Sequence, residues 1–131
     1  MRPPPPPPAP IWDAYAQAQQ WPAANSAPFM SRGHLPEEQV DVRVSPECRA
    51  SYVALVTDSV LPEGCVLAQL SHVGDGRGYG MRKVSGAWSF FELDARGGVL
   101  ASGALTLCGG CHAQATADNA FGPPRDPTPA P

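Results

Sequence analysis

Tyr79-Gly80-Met81-Arg82-Lys83-Val84-Ser85-Gly86-Ala87-Trp88-Ser89-Phe90-Phe91-Glu92-Leu93 is the stretch that decides the fold. Two strand-like runs flank a Ser-Gly link, which is the signature of a β-hairpin with a tight turn. In the second run Trp88 and Phe90 point to one face, Phe91 and Leu93 to the other. Apolar side chains on both faces place this strand inside a sheet rather than at its edge. Downstream, Asp94-Ala95-Arg96-Gly97-Gly98 supplies a second turn, and residues 99–102 read as the next strand. Upstream, residues 65–73 read as a strand, followed by the glycine-rich Gly74-Asp75-Gly76-Arg77-Gly78. That loop lacks the Lys-Ser/Thr of a phosphate cradle, and no helix follows it.

Further out, residues 39–44 alternate: Val40, Val42 and Val44 face one way, Asp41 and Arg43 the other, as in a half-buried strand. Ser45-Pro46-Glu47 then offers an N-cap, a proline at the first helical position and an acid in the first turn. The pattern predicts a helix from there to about Ser59, with Cys48, Tyr52, Leu55 and Val56 on one face. Leu61-Pro62-Glu63-Gly64 stops it. Residues 12–21, rich in Ala and Gln, predict a short helix ended by Pro22. Residues 23–36 read as loop. The expected class is α+β: a mostly antiparallel β-sheet with a few short helices.

The chain of 131 residues is short enough for one domain. Residues 1–10 and 122–131 are proline-rich tails, expected to be extended or disordered, which leaves residues 11–121 as the foldable unit. The net charge of −3 and the lack of a Lys/Arg run argue against a nucleic-acid partner. No run of about 18 apolar residues is present, so no transmembrane span is expected.

Cys108-Gly109-Gly110-Cys111-His112 carries the chemistry. C-x-x-C-H is the attachment sequence of c-type haem. Two thiols on an opening helical turn can each add to a haem vinyl group, and His112 then lies beneath the iron as proximal ligand. Gly109 and Gly110 have no side chain to clash with the macrocycle. Two plainer readings compete. A redox dithiol sits at a strand-to-helix junction in a βαβ pattern, which is missing here. A zinc-binding module using Cys108, Cys111 and His112 would need a fourth ligand from Cys48, Cys65, His34 or His72, and adjacent Cys111 and His112 suit a tetrahedral site poorly. The expected cofactor is therefore haem c, attached near the C-terminus through Cys108 and Cys111, with His112 on the iron. Trp88 and Phe90 are expected to pack against the porphyrin.

Such attachment follows export, so a periplasmic or otherwise exported location is expected. Met1-Arg2 runs into six prolines rather than an apolar segment, so the leader is expected to lie outside this sequence. Cys48 and Cys65 either pair as a disulfide in that oxidising compartment or remain buried thiols.

The late C-x-x-C-H, together with Gly86-Ala87-Trp88-Ser89-Phe90-Phe91 and Ala117-Asp118-Asn119-Ala120-Phe121, resembles the cytochrome P-460 family and its sister group, the cytochromes c′-beta. Val42-Arg43-Val44-Ser45-Pro46-Glu47 and Pro62-Glu63-Gly64-Cys65-Val66 resemble the family's strand-helix-strand opening. The resemblance covers residues 39–121. It implies one haem with His112 proximal and a distal pocket walled by the sheet. P-460 proteins cross-link a lysine to the porphyrin and oxidise hydroxylamine; the c′-beta proteins lack the link and bind gases such as nitric oxide. Here Gln69 stands where the cross-linking lysine would fall. Lys83, the single lysine, lies on a later strand, and the family's distal arginine has no obvious match, Val40 standing at the aligned position with Arg43 nearby.

The expected function is therefore a c-type haem protein acting in electron transfer or small-ligand binding. Its partner would be a redox protein or a small gaseous ligand, and a homodimer is compatible with the sequence. The alternative is an oxidoreductase acting on hydroxylamine, nitric oxide or peroxide, with Glu92, Arg82, His72 or Asp118 as proton donor. The sixth iron ligand separates the two classes. Met30, Met81, His34 and His72 are the candidates; an apolar wall of Trp88 and Phe90 would instead leave that position open.

Overall fold

The computed structural model describes residues 3–4, 10–25, 27–30, 34, 39–56, 58–72, 77–105, 108, 112, 118 and 120. Its framework is one antiparallel sheet of β1 (Phe29–Met30), β2 (Gln39–Val44), β3 (Val66–Ser71), β4 (Gly78–Val84), β5 (Ala87–Leu93) and β6 (Val99–Gly103), in that spatial order. Each strand pairs with the next in sequence, so no crossover is needed. Two helices are defined among the described residues, α1 (Tyr15–Gln20) and α2 (Pro46–Val53). The expected mostly antiparallel α+β class is found. No helix among the described residues is long and apolar enough to cross a membrane.

The hairpin read from sequence forms as expected. β4 and β5 pair from Gly78↔Leu93 to Val84↔Ala87, and Ser85 and Gly86 both take positive φ, 52° and 78°. That conformation matches the right-handed twist of the strands, and Gly86 adopts it without a Cβ penalty. Glu63 accepts from the backbone N–H groups of Ser85 and Gly86, tying this turn to the segment that enters β3.

Alternation along the strands divides the core into two layers. On one face Trp12, Ala14 and Ala18 of the N-terminal segment pack against Val66, Ala68 and Leu93. Trp12 stacks on Phe91 with ring centres 4.9 Å apart and lies directly over Gly80, where an added Cβ would come within 2.6 Å of the indole. Gly80 is the hollow that seats the tryptophan. On the other face Val42, Val44, Cys48, Tyr52, Leu61, Cys65, Leu67, Met81, Trp88 and Phe90 form the larger cluster, with α2 as its lid.

Cys48 of α2 and Cys65 before β3 are bonded as a disulfide, with Cα atoms 5.3 Å apart, and both are fully buried. Of the two states compatible with the sequence, the bonded pair is the one realised. Helix α2 ends at Val53 rather than near Ser59. Cys48 and Tyr52 are buried and Leu55 still packs on the larger cluster, but Val53 and Val56 are 53% and 61% exposed, so burial beyond Tyr52 is too sparse to extend the helix. Ser45 stands at the N-cap position, yet its Oγ accepts from the backbone of Val66 instead of capping α2. Residues 29–30, expected as loop, form the short edge strand β1, because Phe29 packs on the larger cluster while pairing with Val40. The proline-rich tails lie almost wholly outside the described residues.

Candidate haem-binding site

Three adjacent rows on the larger-cluster face of the sheet matter here, because directly opposed residues of antiparallel strands project to the same side. Val42, Gln69, Tyr79, Glu92 and Ala101 form one row, by the pairings Val42↔Gln69, Gln69↔Tyr79, Tyr79↔Glu92 and Glu92↔Ala101. Val44, Leu67, Met81, Phe90 and Gly103 form the next. Lys83 and Trp88 lie in the third.

The described residues Leu105, Cys108, His112, Asp118 and Ala120 of the C-terminal segment contact this face. Cys108 and His112 have helical backbone, as an attachment turn requires, and both are half-buried. Cys108 and Leu105 pack on the larger cluster. The His112 ring meets Phe90 with ring centres 5.3 Å apart. Cys111 lies outside the described residues. Of the wall residues expected from sequence, Phe90 does reach the histidine. Trp88 also anchors the returning chain, because its indole N–H donates to the Asp118 carbonyl at 2.8 Å.

Asp118 is the point at which the segment is pinned. Its Oδ2 accepts from Lys83 Nζ at 2.6 Å and from the Leu61 N–H at 2.8 Å, while Lys83 also donates to the Leu61 carbonyl at 2.8 Å. Both side chains of this ion pair are largely shielded, 7% and 14% exposed. A shielded pair with its remaining hydrogen bonds satisfied fixes one geometry. Asp118 is a proton-donor candidate by sequence, but in the fold its carboxylate is committed to this clamp.

At the other end of the face stands a group that local sequence does not assemble. His34 stacks on Tyr79 with ring centres 4.1 Å apart and an interplanar angle of 14°. Its Nδ1 lies 2.6 Å from Gln69 Oε1. An amide oxygen only accepts, so Nδ1 is the donor in this contact. The same ring is 6.4 Å from that of His112, at 22°. No periodicity links positions 34, 69, 79 and 112; the sheet register and the returning segment bring them together. Burial raises the Tyr79 phenol above its ordinary pKa, with Glu92 adding to the effect and Arg77 opposing it, so it is protonated at neutral pH.

The remaining ligand candidates lie elsewhere. Met81 is buried within the middle row, and Met30 is exposed on the edge strand. His72 lies by Asp41, with Nδ1 3.1 Å from Oδ2, and lines a cavity of about 230 Å³ with Tyr15, Arg43 and Asp94 on the α1 side. Arg82 is also on that side, ion-paired with Asp13. His72 and Arg82 are therefore remote from His112, which removes them as proton donors for anything bound there. Glu92 shares a row with Tyr79 and stays on the relevant face.

The donor chemistry present fits a c-type haem. A thiol and an imidazole four residues apart on helical backbone rest on an apolar face of Met81, Phe90 and Leu105. No protein-family model matches the chain, and no curated protein or solved structure matches it either, so the reading of the site rests on these residues.

Proposed function

We propose that this chain is a c-type haem protein that carries one haem on Cys108 and Cys111 with His112 as proximal ligand, and that it works in electron transfer or small-ligand binding. The observation that supports this best is the seating of Cys108 and His112, in attachment spacing, against the apolar middle row of the sheet. When bound, the haem supplies a one-electron couple and an iron site for diatomic ligands. Phe90, Met81 and Leu105 shield the macrocycle from water, and the Asp118–Lys83 clamp with Trp88 holds the bearing segment on the sheet. The disulfide is in keeping with an exported protein.

We read the chain as a relative of the cytochrome P-460 and c′-beta proteins without the lysine cross-link. Gln69 has an amide where the linking amine would be needed, and Lys83 Nζ is held by Asp118 and Leu61 two rows from Gln69. The hydroxylamine-oxidising alternative loses its defining group for that reason.

The test is production behind a secretion signal together with haem-attachment machinery. Intact mass should exceed the polypeptide by one haem, and denatured protein should keep its peroxidase stain. Cys108→Ala with Cys111→Ala should abolish both. The reduced pyridine adduct should be that of an ordinary c-type haem and should not change in Lys83→Ala. A colourless product with stoichiometric zinc would refute the proposal.

A further inference from the structure

We propose that the cavity on the α1 side of the sheet binds a small zwitterion of the amino-acid or dipeptide kind, with its carboxylate on Arg43 and its ammonium on Asp94.

The cavity holds about 230 Å³, and nothing in it depends on the haem reading. Its charged lining is split. Arg43 lies on β2 and Asp94 directly after β5, and the strand order puts β3 and β4 between them. Neighbouring strands are about 4.8 Å apart, so the two groups border opposite sides of the cavity. Leu70 of β3 and Gly78 of β4 line the uncharged stretch between. A ligand of one charge sign is attracted at one side and repelled at the other. A ligand carrying both signs is attracted at each.

The basic side has unused donors. Arg43 donates from NH1 to the Trp21 carbonyl at 2.6 Å and to that of Gln19 at 3.5 Å. Its NH2 reaches only Asp41 Oδ2, at 3.7 Å, and its shielded Nε has no hydrogen-bond partner among the described residues. A shielded donor left unpaired is costly, and an Nε–NH2 edge is suited to two parallel bonds with a carboxylate. Asp41 does not line the cavity; it is buried behind the basic side, where its oxygens accept from Asn25 and His72. That buried network fixes His72, which lines the cavity beside Arg43. On the acidic side, Asp94 Oδ1 accepts from the Gly98 and Arg96 N–H groups, each at 2.8 Å, and these bonds keep the carboxyl ionised. Its Oδ2 has the Arg96 guanidinium no nearer than 3.8 Å, which leaves it open to an ammonium.

Titration calorimetry of the purified full chain with glycylglycine tests the proposal, with alanine as the single-residue arm. Saturable one-to-one binding is expected for at least one of the two. Acetate and ethylammonium each carry one charge and lose a charge-assisted contact, so both should bind at least about tenfold more weakly. Arg43→Lys keeps the charge but not the two-bonded edge. Asp94→Asn keeps an acceptor for the turn but not the charge. Each should weaken zwitterion binding about tenfold or more, while Glu47→Gln on α2 should bind as the wild type does. No saturable binding of either zwitterion at millimolar concentration would overturn the proposal. So would acetate binding as tightly as the zwitterions, or affinity unchanged in both cavity variants. The wild-type comparison of probes decides the matter even where a variant fails to fold. A haem-loaded chain that binds neither zwitterion refutes this inference alone, and a colourless chain that binds one refutes only the haem reading.

Discussion

Lys83 is the chain's single lysine, and it is buried at 6% exposure because Asp118 and the Leu61 carbonyl take its three-donor head group out of water. Removing one partner of a shielded pair leaves the other charge uncompensated. Lys83→Met is therefore expected to lower stability by about 3 kcal/mol, read as a shifted urea midpoint. Asp118→Asn, which keeps an acceptor for Leu61, should cost less. Amine acylation offers an independent measure: Lys83 should resist modification in the wild type and label readily in Asp118→Asn. Equal labelling of the two would show that the clamp does not hold the C-terminal segment.

Two elements depend on contacts that a single substitution can break. Trp12 anchors the N-terminal segment over Gly80, and a Cβ there would collide with the indole. Gly80→Ala should destabilise the protein by about 1–3 kcal/mol, the usual cost of overpacking, with a changed tryptophan fluorescence as Trp12 leaves Phe91. Helix α2 is fastened by Cys48–Cys65, which close a loop with a sequence separation of 17. Replacing both cysteines by alanine should cost about 3 kcal/mol, part of it through the unfolded chain. A midpoint unchanged in denaturant would contradict the bond's contribution.

For the molecule as a whole, ionisation sets the pH range of stability. Burial works against the Asp41 carboxylate, but hydrogen bonds from His72 and Asn25 and the nearby Arg43 outweigh it and hold its pKa below the ordinary value. Asp13 is lowered chiefly by its hydrogen bond with Arg82. These groups contribute stability above the unfolded carboxylate pKa of about 4 and lose it as pH falls further through the folded values. Tyr52 is shifted upward by burial, as are Tyr15 and Tyr79 in smaller measure. The unfolded chain therefore gives up tyrosine protons first, and stability declines as pH climbs above about 10. Unfolding midpoints across pH should form a plateau between those limits; Tyr52→Phe should flatten the alkaline fall.

Features whose information is local are legible in the chain alone. Ser85-Gly86 specifies a tight turn through positive φ, and the alternation of Trp88, Phe90, Phe91 and Leu93 commits β5 to the sheet interior. The spacing of Cys108, Cys111 and His112 is the sequence feature on which the haem proposal stands. Other features needed the folded chain. The strand β1 exists because Val40 offers a partner and the core offers Phe29 a place. The end of α2 follows from where burial stops. The joining of His34 to Gln69, Tyr79 and His112 spans most of the chain, and the clamp of Asp118 on Lys83 and Leu61 joins residues up to 57 positions apart. Turn chemistry and periodicity act between near neighbours, whereas such groupings depend on strand register and on the path of the returning segment. Both are set by packing across the sheet, among residues far apart in sequence.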